Sequence, residues 1–363
     1  MSPISSWKKA WRCLPMNKQR RYLFSTAEDT MKEPLKKLWE EAFGDDRSYI
    51  DFFFANRFHP DTTVVCLDGR IPVGAAYCLS ASVLQPASLP LWQSEPYSRE
   101  KSFPHPDGEG KQPPVLQEMP VRYIYAVAVK KEYQRQGIAA GLLRFAYRYF
   151  GEPLILEPAD EHLRGYYERL GFQKAFYVKE CELPPIRSAA LQDQQITSTD
   201  EQEKMVGNHF ENRPDIGINI CSPGTYRQIR DARFRAPGYV QWDEQAVTYA
   251  LKENEFCGGK AYKITIKDRS EILLLRTAGE KIHILETTLT DRDLYQVLKH
   301  LGLAAAKGYL RRNPFVTGES HTSTSDADNP ASGCIGLICC KEPAEKTTAG
   351  NQSFRGYLNL TLE

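Results

Sequence analysis

Residues 127–139 read VAVKKEYQRQGIA and carry the clearest indication of how the first half of the chain folds. A strand-like run, residues 121–129, ends inside this stretch, and its continuous apolar end predicts a strand buried on both faces. Beyond Gly137, the residues that recur at helical spacing are Ile138, Leu142, Ala146 and Tyr149. The stretch therefore predicts a glycine-containing turn that joins a buried strand to a helix.

The start of such a helix is suited to binding an anion. Its first backbone N–H groups have no partner within the helix and carry partial positive charge, which is the arrangement that a pyrophosphate needs. Gly137 permits close approach of the backbone, Ala139 keeps the next turn free of bulk, and Arg135 offers a charged contact to phosphate. The pattern is short, so a glycine turn that serves only the fold is the alternative.

A second motif follows at residues 166–172, which read YYERLGF. Between the two motifs, residues 154–156 predict a short buried strand, and residues 161–170 predict a helix that Gly171 ends. Together the motifs resemble the GNAT superfamily, the Gcn5-related N-acetyltransferases, and the resemblance runs from about residue 22 to residue 182. It implies an α+β fold in which helices flank a central mixed, mainly antiparallel sheet.

The resemblance also implies an acyl donor and its site. Acetyl-CoA would bind as a co-substrate, without a metal, where the strand before the loop separates from the next strand. The implied cofactor-binding residues are Val127, Ala128, Val129, Gln134, Arg135, Gln136, Gly137, Ile138, Ala139 and Ala140. Val127 and Val129 would contact CoA through their backbone, and a backbone N–H there would stabilise the oxyanion.

Three side chains are candidates for proton transfer. Tyr167 matches the family's usual general acid, and a phenol with a pKa near 10 can protonate a thiolate whose conjugate acid has a pKa near 8.5. The alternative is that Tyr167 only packs under CoA. Glu157 is the first candidate for the base that takes the amine proton, directly or through water. Asp160 is the second candidate, although an acid at a helix start is the other interpretation of Asp160.

The remainder of the first half supplies the elements around this site. Residues 35–42 and 50–57 predict two helices, and Asp68 and Gly69 between two β-rich runs predict a hairpin. Prolines interrupt the pattern from residue 84 to residue 120. An insert of this length is expected to form a wall or lid over the acceptor side, and a surface loop is the alternative.

The second half predicts another α+β domain. Strand-like runs at 261–266, 272–275 and 281–286, followed by a helix at 294–301, repeat the order of the first half. The joint before this helix holds no glycine, so the domain resembles a degenerate GNAT domain that has lost its CoA site. An unrelated α+β substrate module is the alternative. The domain scheme is a basic N-terminal extension at 1–21, a GNAT domain at 22–186, a polar linker at 187–203 and the second domain at 204–363.

Composition narrows the classes of function. The 363 residues are 41% hydrophobic and 26% charged, which is ordinary for a globular protein. A net charge of +1 favours neither nucleic acid nor an anionic membrane surface, and no apolar run approaches the roughly 20 residues that span a bilayer. The nine cysteines form no C-x-x-C pair, which predicts no metal site and indicates a reducing compartment, the cytoplasm.

The sequence thus predicts an acyl-CoA-dependent N-acyltransferase that moves an acetyl group to a primary amine by direct transfer. The acceptor would be a small molecule or a peptide. A catalytically weak CoA-binding or partner-binding scaffold is one alternative, and a transferase of longer acyl groups is the other. The sequence does not indicate an oligomeric state.

Overall fold

A computed structural model describes residues 11–12, 22–87, 115–183, 216–279, 281–303, 307–312 and 332–343. Within these ranges the chain has seven α-helices and fourteen strands, which confirms the predicted α+β class. The chain divides into two compact units. The first combines Met1–Phe176 with Cys334–Gly356, and the second combines Tyr177–Gly333 with Tyr357–Glu363.

The first unit is built on a mixed sheet. Its strands are β1 (Trp11–Arg12), β2 (Leu23–Thr26), β3 (Thr63–Asp68), β4 (Ile71–Pro86), β5 (Leu116–Val129), β6 (Leu154–Leu156), the first part of β7 (Gln173–Leu183) and β14 (Ser332–Cys339). Their order is β1-β2-β3-β4-β5-β6-β14-β7. Neighbours from β1 to β5 are antiparallel, β5 and β6 are parallel, and β6 and β14 are antiparallel. The sheet is therefore mixed and mainly antiparallel, as predicted.

Two helices cover each face of this sheet. They are α1 (Lys32–Phe43), α2 (Arg47–Asn56), α3 (Ile138–Phe150) and α4 (Glu161–Arg169). Trp39 of α1 and Phe53 of α2 pack against Tyr77 of β4, whereas α3 and α4 pack on a core cluster that includes Cys78. Since Tyr77 and Cys78 are consecutive in a strand, they point to opposite faces, and so the two pairs of helices lie on opposite faces.

The proline-containing insert is shorter than the sequence predicted. β4 extends to Pro86 and β5 begins at Leu116, and these two residues are cross-strand partners. Pro120 also lies within β5, opposite Ser82. A proline removes only its own backbone donor, so both strands of this long hairpin tolerate proline. Residues 88–114, which hold the rest of the predicted wall or lid, lie outside the described residues.

The second unit repeats this plan. Its elements are β8 (Ile216–Ile220), α5 (Pro223–Phe234), β9 (Val240–Trp242), α6 (Glu244–Phe256), β10 (Lys260–Ile266), β11 (Arg269–Ala278), β12 (Lys281–Thr287), α7 (Asp291–His300) and β13 (Lys307–Arg312). Lys179–Leu183 of β7 pair with β13, and the order continues through β12, β11 and β10 to β8. Only β12 and β13 are parallel among these pairs of the described chain. The predicted three-stranded meander and the helix after it are confirmed.

The two units share a local irregularity as well as an order of elements. In the first unit the β4–β5 register pairs Tyr77 with Ala126 and then skips Tyr125. In the second unit the β11–β12 register skips Leu285 in the same way. Each skipped residue is a bulge, which bends its strand and redirects its side chain. Each bulge lies near the point where its strand meets its parallel neighbour.

The division into units differs from the sequence-based domain scheme at the C-terminal side. That scheme assigned everything after residue 203 to the second domain, whereas Leu337–Cys339 pair with Leu154–Leu156 in the first unit. A strand finds its partner through hydrogen bonds that are not limited by distance along the chain, so linear order does not reveal this pairing. The expected linker at 187–203 lies outside the described residues, as does the N-terminal extension except for Trp11 and Arg12.

Candidate active site

The predicted cofactor loop is a turn with two left-handed residues. A single turn of 3-10 helix, Lys131–Tyr133, follows β5, and Gln134 is extended. Arg135 has φ of 60° and Gly137 has φ of 78°. Glycine adopts this conformation without strain, whereas a residue with a side chain does so at a cost of about 1–2 kcal/mol. The loop therefore has a defined shape that a hydrogen-bonding framework must maintain.

The start of α3 is left open toward a ligand. Gly137 occupies the N-cap position and supplies no side-chain cap, and the first turn holds no acidic residue. The first backbone N–H groups of the helix, those of Ile138 and Ala139 among them, cannot bond within the helix. The N–H of Ala140 hydrogen-bonds the hydroxyl of Tyr166 and so opposes the rise of the Tyr166 pKa that burial causes. The partial positive charge of the free N–H groups at the start of α3 is therefore not offset by a carboxylate in the first turn.

Both glutamine side chains of the loop are used within the loop. Gln134 Nε2 donates to the carbonyl of Val129 at 3.2 Å, and Gln136 Nε2 donates to the carbonyl of Glu132 at 3.1 Å. The backbone N–H of Gln134 also donates within the loop, to the carbonyl of Lys131 at 3.3 Å, so of the two glutamines only Gln136 offers a backbone N–H to an anion. Arg135 is exposed, so its guanidinium can reach a phosphate at the helix start.

Strand β5 separates from β6 just before this loop. The parallel pairing consists of Arg122 with Leu154 and Tyr123 with Ile155. Within the described chain, residues 124–129 have no register partner on the β6 side. The predicted CoA-contacting strand residues Val127, Ala128 and Val129 all lie in this segment. An extended ligand can therefore pair with this edge as an added strand would.

Tyr167 lies on α4 and packs against the same core cluster as Val127 and Val129. Its ring contacts those of Tyr166 and Phe172, with centroids 5.3 Å and 5.6 Å away. Burial raises the pKa of the Tyr167 phenol above its ordinary value, and its hydroxyl bonds to no residue of the described chain. The phenol is therefore protonated at neutral pH and has a proton to donate.

The two candidate bases differ in what their carboxylates already do. Asp160 is exposed and caps α4, since its Oδ1 accepts the N–H of Leu163 at 2.7 Å. This agrees with the prediction of a helix-start acid. Glu157 is half-buried and directly follows β6, on the strand opposite the open edge of β5. The arrangement favours Glu157 over Asp160 as the group that takes a proton near this edge.

Sequence reasoning missed a pair of tyrosines on the opposite face. The hydroxyls of Tyr49 and Tyr125 are 2.6 Å apart, and the Tyr125 ring stacks on Phe53 with a centroid distance of 5.2 Å. Tyr125 is the bulge residue that comes two positions after the last β5–β6 pair. No periodicity signals a bulge, so the sequence alone gave Tyr125 no special position.

The corresponding helix start in the second unit is closed. Thr290 caps α7 by accepting the N–H of Asp293 at 3.1 Å. Asp291 and Asp293 add two carboxylates to the first turn, and Asp293 pairs with Arg269 at 3.0 Å. A capped and acidic helix start repels a pyrophosphate, in contrast to the start of α3.

The described residues contain no group of three or more histidine, cysteine, aspartate or glutamate side chains placed to hold a metal ion. Among their helices, none is both long and apolar enough to cross a membrane.

Comparisons with known proteins agree with this geometry. The model of the Acetyltransferase (GNAT) family matches residues 26–172. A GCN5-related N-acetyltransferase from Anabaena variabilis is similar in structure, with a TM-score of 0.56 and 12% identity over 88% of this chain and 73% of that one. Eis1 from Mycobacterium abscessus has a TM-score of 0.52 and 13% identity, over 89% of this chain and 72% of that one. A probable N-acyltransferase from Enterococcus faecalis has a TM-score of 0.55 and 12% identity, over 87% of this chain and 71% of that one.

At sequence identities this low, the structural similarity is evidence for the fold alone. A search of curated protein sequences finds no match to the chain.

Proposed function

Through residues 26–172 the chain belongs to the GNAT acetyltransferase family, and from this premise we propose that it transfers an acetyl group from acetyl-CoA to a primary amine. The observation that carries the proposal is the uncapped start of α3 directly after the open edge of β5. An anion-binding helix start and an unpaired strand edge suit the two chemically different parts of CoA, its pyrophosphate and its amide-containing arm.

The proposed CoA site uses the residues predicted from the sequence. Backbone N–H groups of residues 135–139 would hold the pyrophosphate, and Arg135 would add a charged contact. The N–H groups of Gln134 and Ala140, at the two ends of the predicted site, already bond to the carbonyl of Lys131 and the hydroxyl of Tyr166. The backbone of Val127, Ala128 and Val129 would pair with the pantetheine arm. The left-handed turn at Gly137 supports this assignment, because it presents the loop backbone without a side chain in the way.

Proton transfers in the proposed reaction involve two side chains. Glu157 accepts a proton from the acceptor ammonium, directly or through water, so that the free amine nitrogen attacks the thioester carbon. A backbone N–H of β5 stabilises the negative charge that develops on the thioester oxygen. As the carbon–sulfur bond breaks, Tyr167 gives its proton to the thiolate. The second proton of the attacking nitrogen, which the amide does not keep, passes through water to the Tyr167 phenolate and restores the phenol. The products are the N-acetyl amide and CoA thiol, with no covalent intermediate on the protein.

We propose that the second unit is a degenerate GNAT-like domain without a CoA site of its own. Its order of elements, its bulge at Leu285 and its parallel strand pair support the common origin of the fold. The capped, acidic start of α7 supports the loss of the site. The domain scheme predicted from the sequence, with the second domain after residue 203, is proposed with one amendment: β14 completes the first unit.

The test is a thiol-release assay with acetyl-CoA and a panel of small-molecule and peptide amines, joined to a calorimetric titration of CoA. Turnover with at least one amine is expected. CoA binding without turnover on any amine would favour a CoA-binding scaffold instead. Faster turnover with longer acyl-CoA donors would favour a transferase of longer acyl groups. An absence of both binding and turnover would contradict the proposal.

A further inference from the structure

The cofactor loop holds a strained shape and is fixed by only a few side-chain contacts. Arg135 lies in the left-handed region with φ of 60° although it carries a side chain. Such a residue returns to a more favoured conformation unless its neighbours hold it. The residue between the two left-handed positions is Gln136, so the contacts of Gln136 help to hold both positions in this conformation.

Gln136 is held at both ends of its amide group. Its Nε2 donates to the carbonyl of Glu132 at 3.1 Å, and a carbonyl can only accept. This bond fixes which end of the amide is nitrogen and leaves Oε1 pointing at Tyr22. The hydroxyl of Tyr22 must therefore be the donor in the 2.6 Å bond to Gln136 Oε1.

Tyr22 comes from a distant part of the chain. It directly precedes β2, packs against the core cluster of the first unit and meets the ring of Tyr133 edge to face at 6.3 Å. Its ring is thereby held by the sheet, and its hydroxyl carries that rigidity to the loop. No other residue of the described chain bonds to Gln136 Oε1.

We infer that Tyr22 is a positioning residue for CoA, which acts by fixing Gln136 and through it the pyrophosphate-binding backbone of residues 135–139. The inference rests on the proposed function. It assigns Tyr22 no contact with CoA: loss of its hydroxyl frees the loop, and the bound state must then restore the loop's shape at the expense of affinity.

The experiment is a calorimetric titration of CoA into the full chain and its variants. Tyr22→Phe removes the hydroxyl and keeps the ring, and it is expected to raise the Kd for CoA roughly three- to tenfold, the effect of one hydrogen bond. Gln136→Ala removes the partner and should raise Kd at least as much. In the double variant, Tyr22→Phe should add less than twofold to the effect of Gln136→Ala, because the two act through one bond.

Tyr133→Phe is the matched control. Tyr133 contacts the Tyr22 ring, but its hydroxyl donates to Asp68 at 3.0 Å and not to the loop. The Kd of the Tyr133→Phe variant for CoA is expected to stay within twofold of the wild-type value. A second readout separates positioning from general damage: Tyr22→Phe should raise KM for acetyl-CoA while kcat and the unfolding temperature of the free protein stay near wild type.

The outcomes distinguish this inference from the proposed function. If the wild-type protein binds CoA and Tyr22→Phe binds it with the same Kd, the inference is overturned and the proposed function stands. The same holds if the affinity losses of the two single variants multiply in the double variant. If Tyr22→Phe does not fold, an unchanged Kd in Gln136→Ala overturns the inference by itself. A wild-type protein that binds no CoA overturns the proposed function, and the inference fails with it.

Discussion

The hydroxyl oxygens of Tyr49 and Tyr125 lie 2.6 Å apart, so one tyrosine donates a hydrogen bond to the other. Tyr49 is in the first turn of α2, and Tyr125 is the bulge of β5. Both lie on the face of the sheet that α1 and α2 cover, opposite the face where Tyr167 packs. Because Tyr125 lies two positions beyond the last β5–β6 pair, we expect the acceptor amine to approach the proposed thioester site beside this pair.

Tyr49→Phe is expected to impair use of the acceptor. The change keeps the ring and removes one hydroxyl of the pair, so the Tyr125 hydroxyl loses this hydrogen bond. We expect kcat/KM for the amine to fall roughly three- to tenfold, which corresponds to one hydrogen bond, about 1 kcal/mol. KM for acetyl-CoA should stay within twofold. Steady-state kinetics with each substrate varied in turn measure these effects. Tyr149→Phe is the control, because Tyr149 is a half-exposed residue on the surface of α3. Equal changes in both KM values would contradict the prediction.

Gly137→Asp is expected to weaken CoA binding at least tenfold, about 1.4 kcal/mol. The new carboxylate would stand where the pyrophosphate is proposed to bind. Gly151→Asp is a matched control, since Gly151 is at the other end of α3, has φ of 67° and has open space where a Cβ would be added. The control introduces the same residue into the same backbone conformation. Calorimetry should show weaker binding for Gly137→Asp only, and equal losses would point to strain instead of charge.

Tyr167→Phe is expected to lower kcat while KM for acetyl-CoA stays nearly constant, because the proton is needed only as the thiolate leaves. The pH dependence follows from the direction of the pKa shift. A general acid works while it is protonated, and burial raises the pKa of Tyr167. The wild-type kcat should therefore show no decline due to this residue between pH 7 and about pH 10. Unchanged kcat in Tyr167→Phe, with chemistry shown to be rate-limiting, would contradict the acid role.

Leu337→Ala is expected to destabilise the acetyltransferase unit although it lies far along the chain. Leu337 is fully buried, pairs with Leu156 and belongs to the core cluster under α3. A buried leucine replaced by alanine costs about 2–5 kcal/mol. Val115→Ala, at a residue that is 77% exposed, should change the free energy of unfolding by less than about 0.5 kcal/mol. Urea denaturation compares the two, and similar values would show that β14 contributes little.

The chain is expected to bind one CoA. The start of α7 carries Asp291 and Asp293 and is capped by Thr290, so it presents negative charge where α3 presents partial positive charge. Calorimetric stoichiometry near one per chain, abolished by Gly137→Asp, is the predicted result. A stoichiometry of two would show that the second unit has kept a site.

The sequence was informative wherever the signal is local. The strand, turn and helix around Gly137, the hairpin at Asp68 and Gly69 and the meander of the second unit are each set by periodicity and turn residues within a short window. The cofactor and catalytic assignments stay predictions, because they came from a resemblance.

What the sequence did not indicate depends on partners that are distant along the chain. The bond from Tyr22 to Gln136 joins residues more than a hundred positions apart, and so does the pairing of Leu337 with Leu156. The bulge at Tyr125 arises from the register between two strands, which neither strand specifies alone. The prolines at 86 and 120 misled for a related reason, since their effect depends on whether their missing donor has a partner in the sheet.

The pairing of β14 with β6 also has a consequence for biosynthesis. A ribosome delivers β6 early, but the strand that lies beside it emerges only after the whole segment Tyr177–Gly333 has been translated. Until then the edge of β6 is unpaired and available to other nascent chains. Closure across so many residues also slows folding. Newly made chains should therefore depend on chaperones for longer than chains of a transferase whose last two strands are contiguous in sequence. Synonymous codons that slow translation of residues 177–333 should lower the yield of soluble protein.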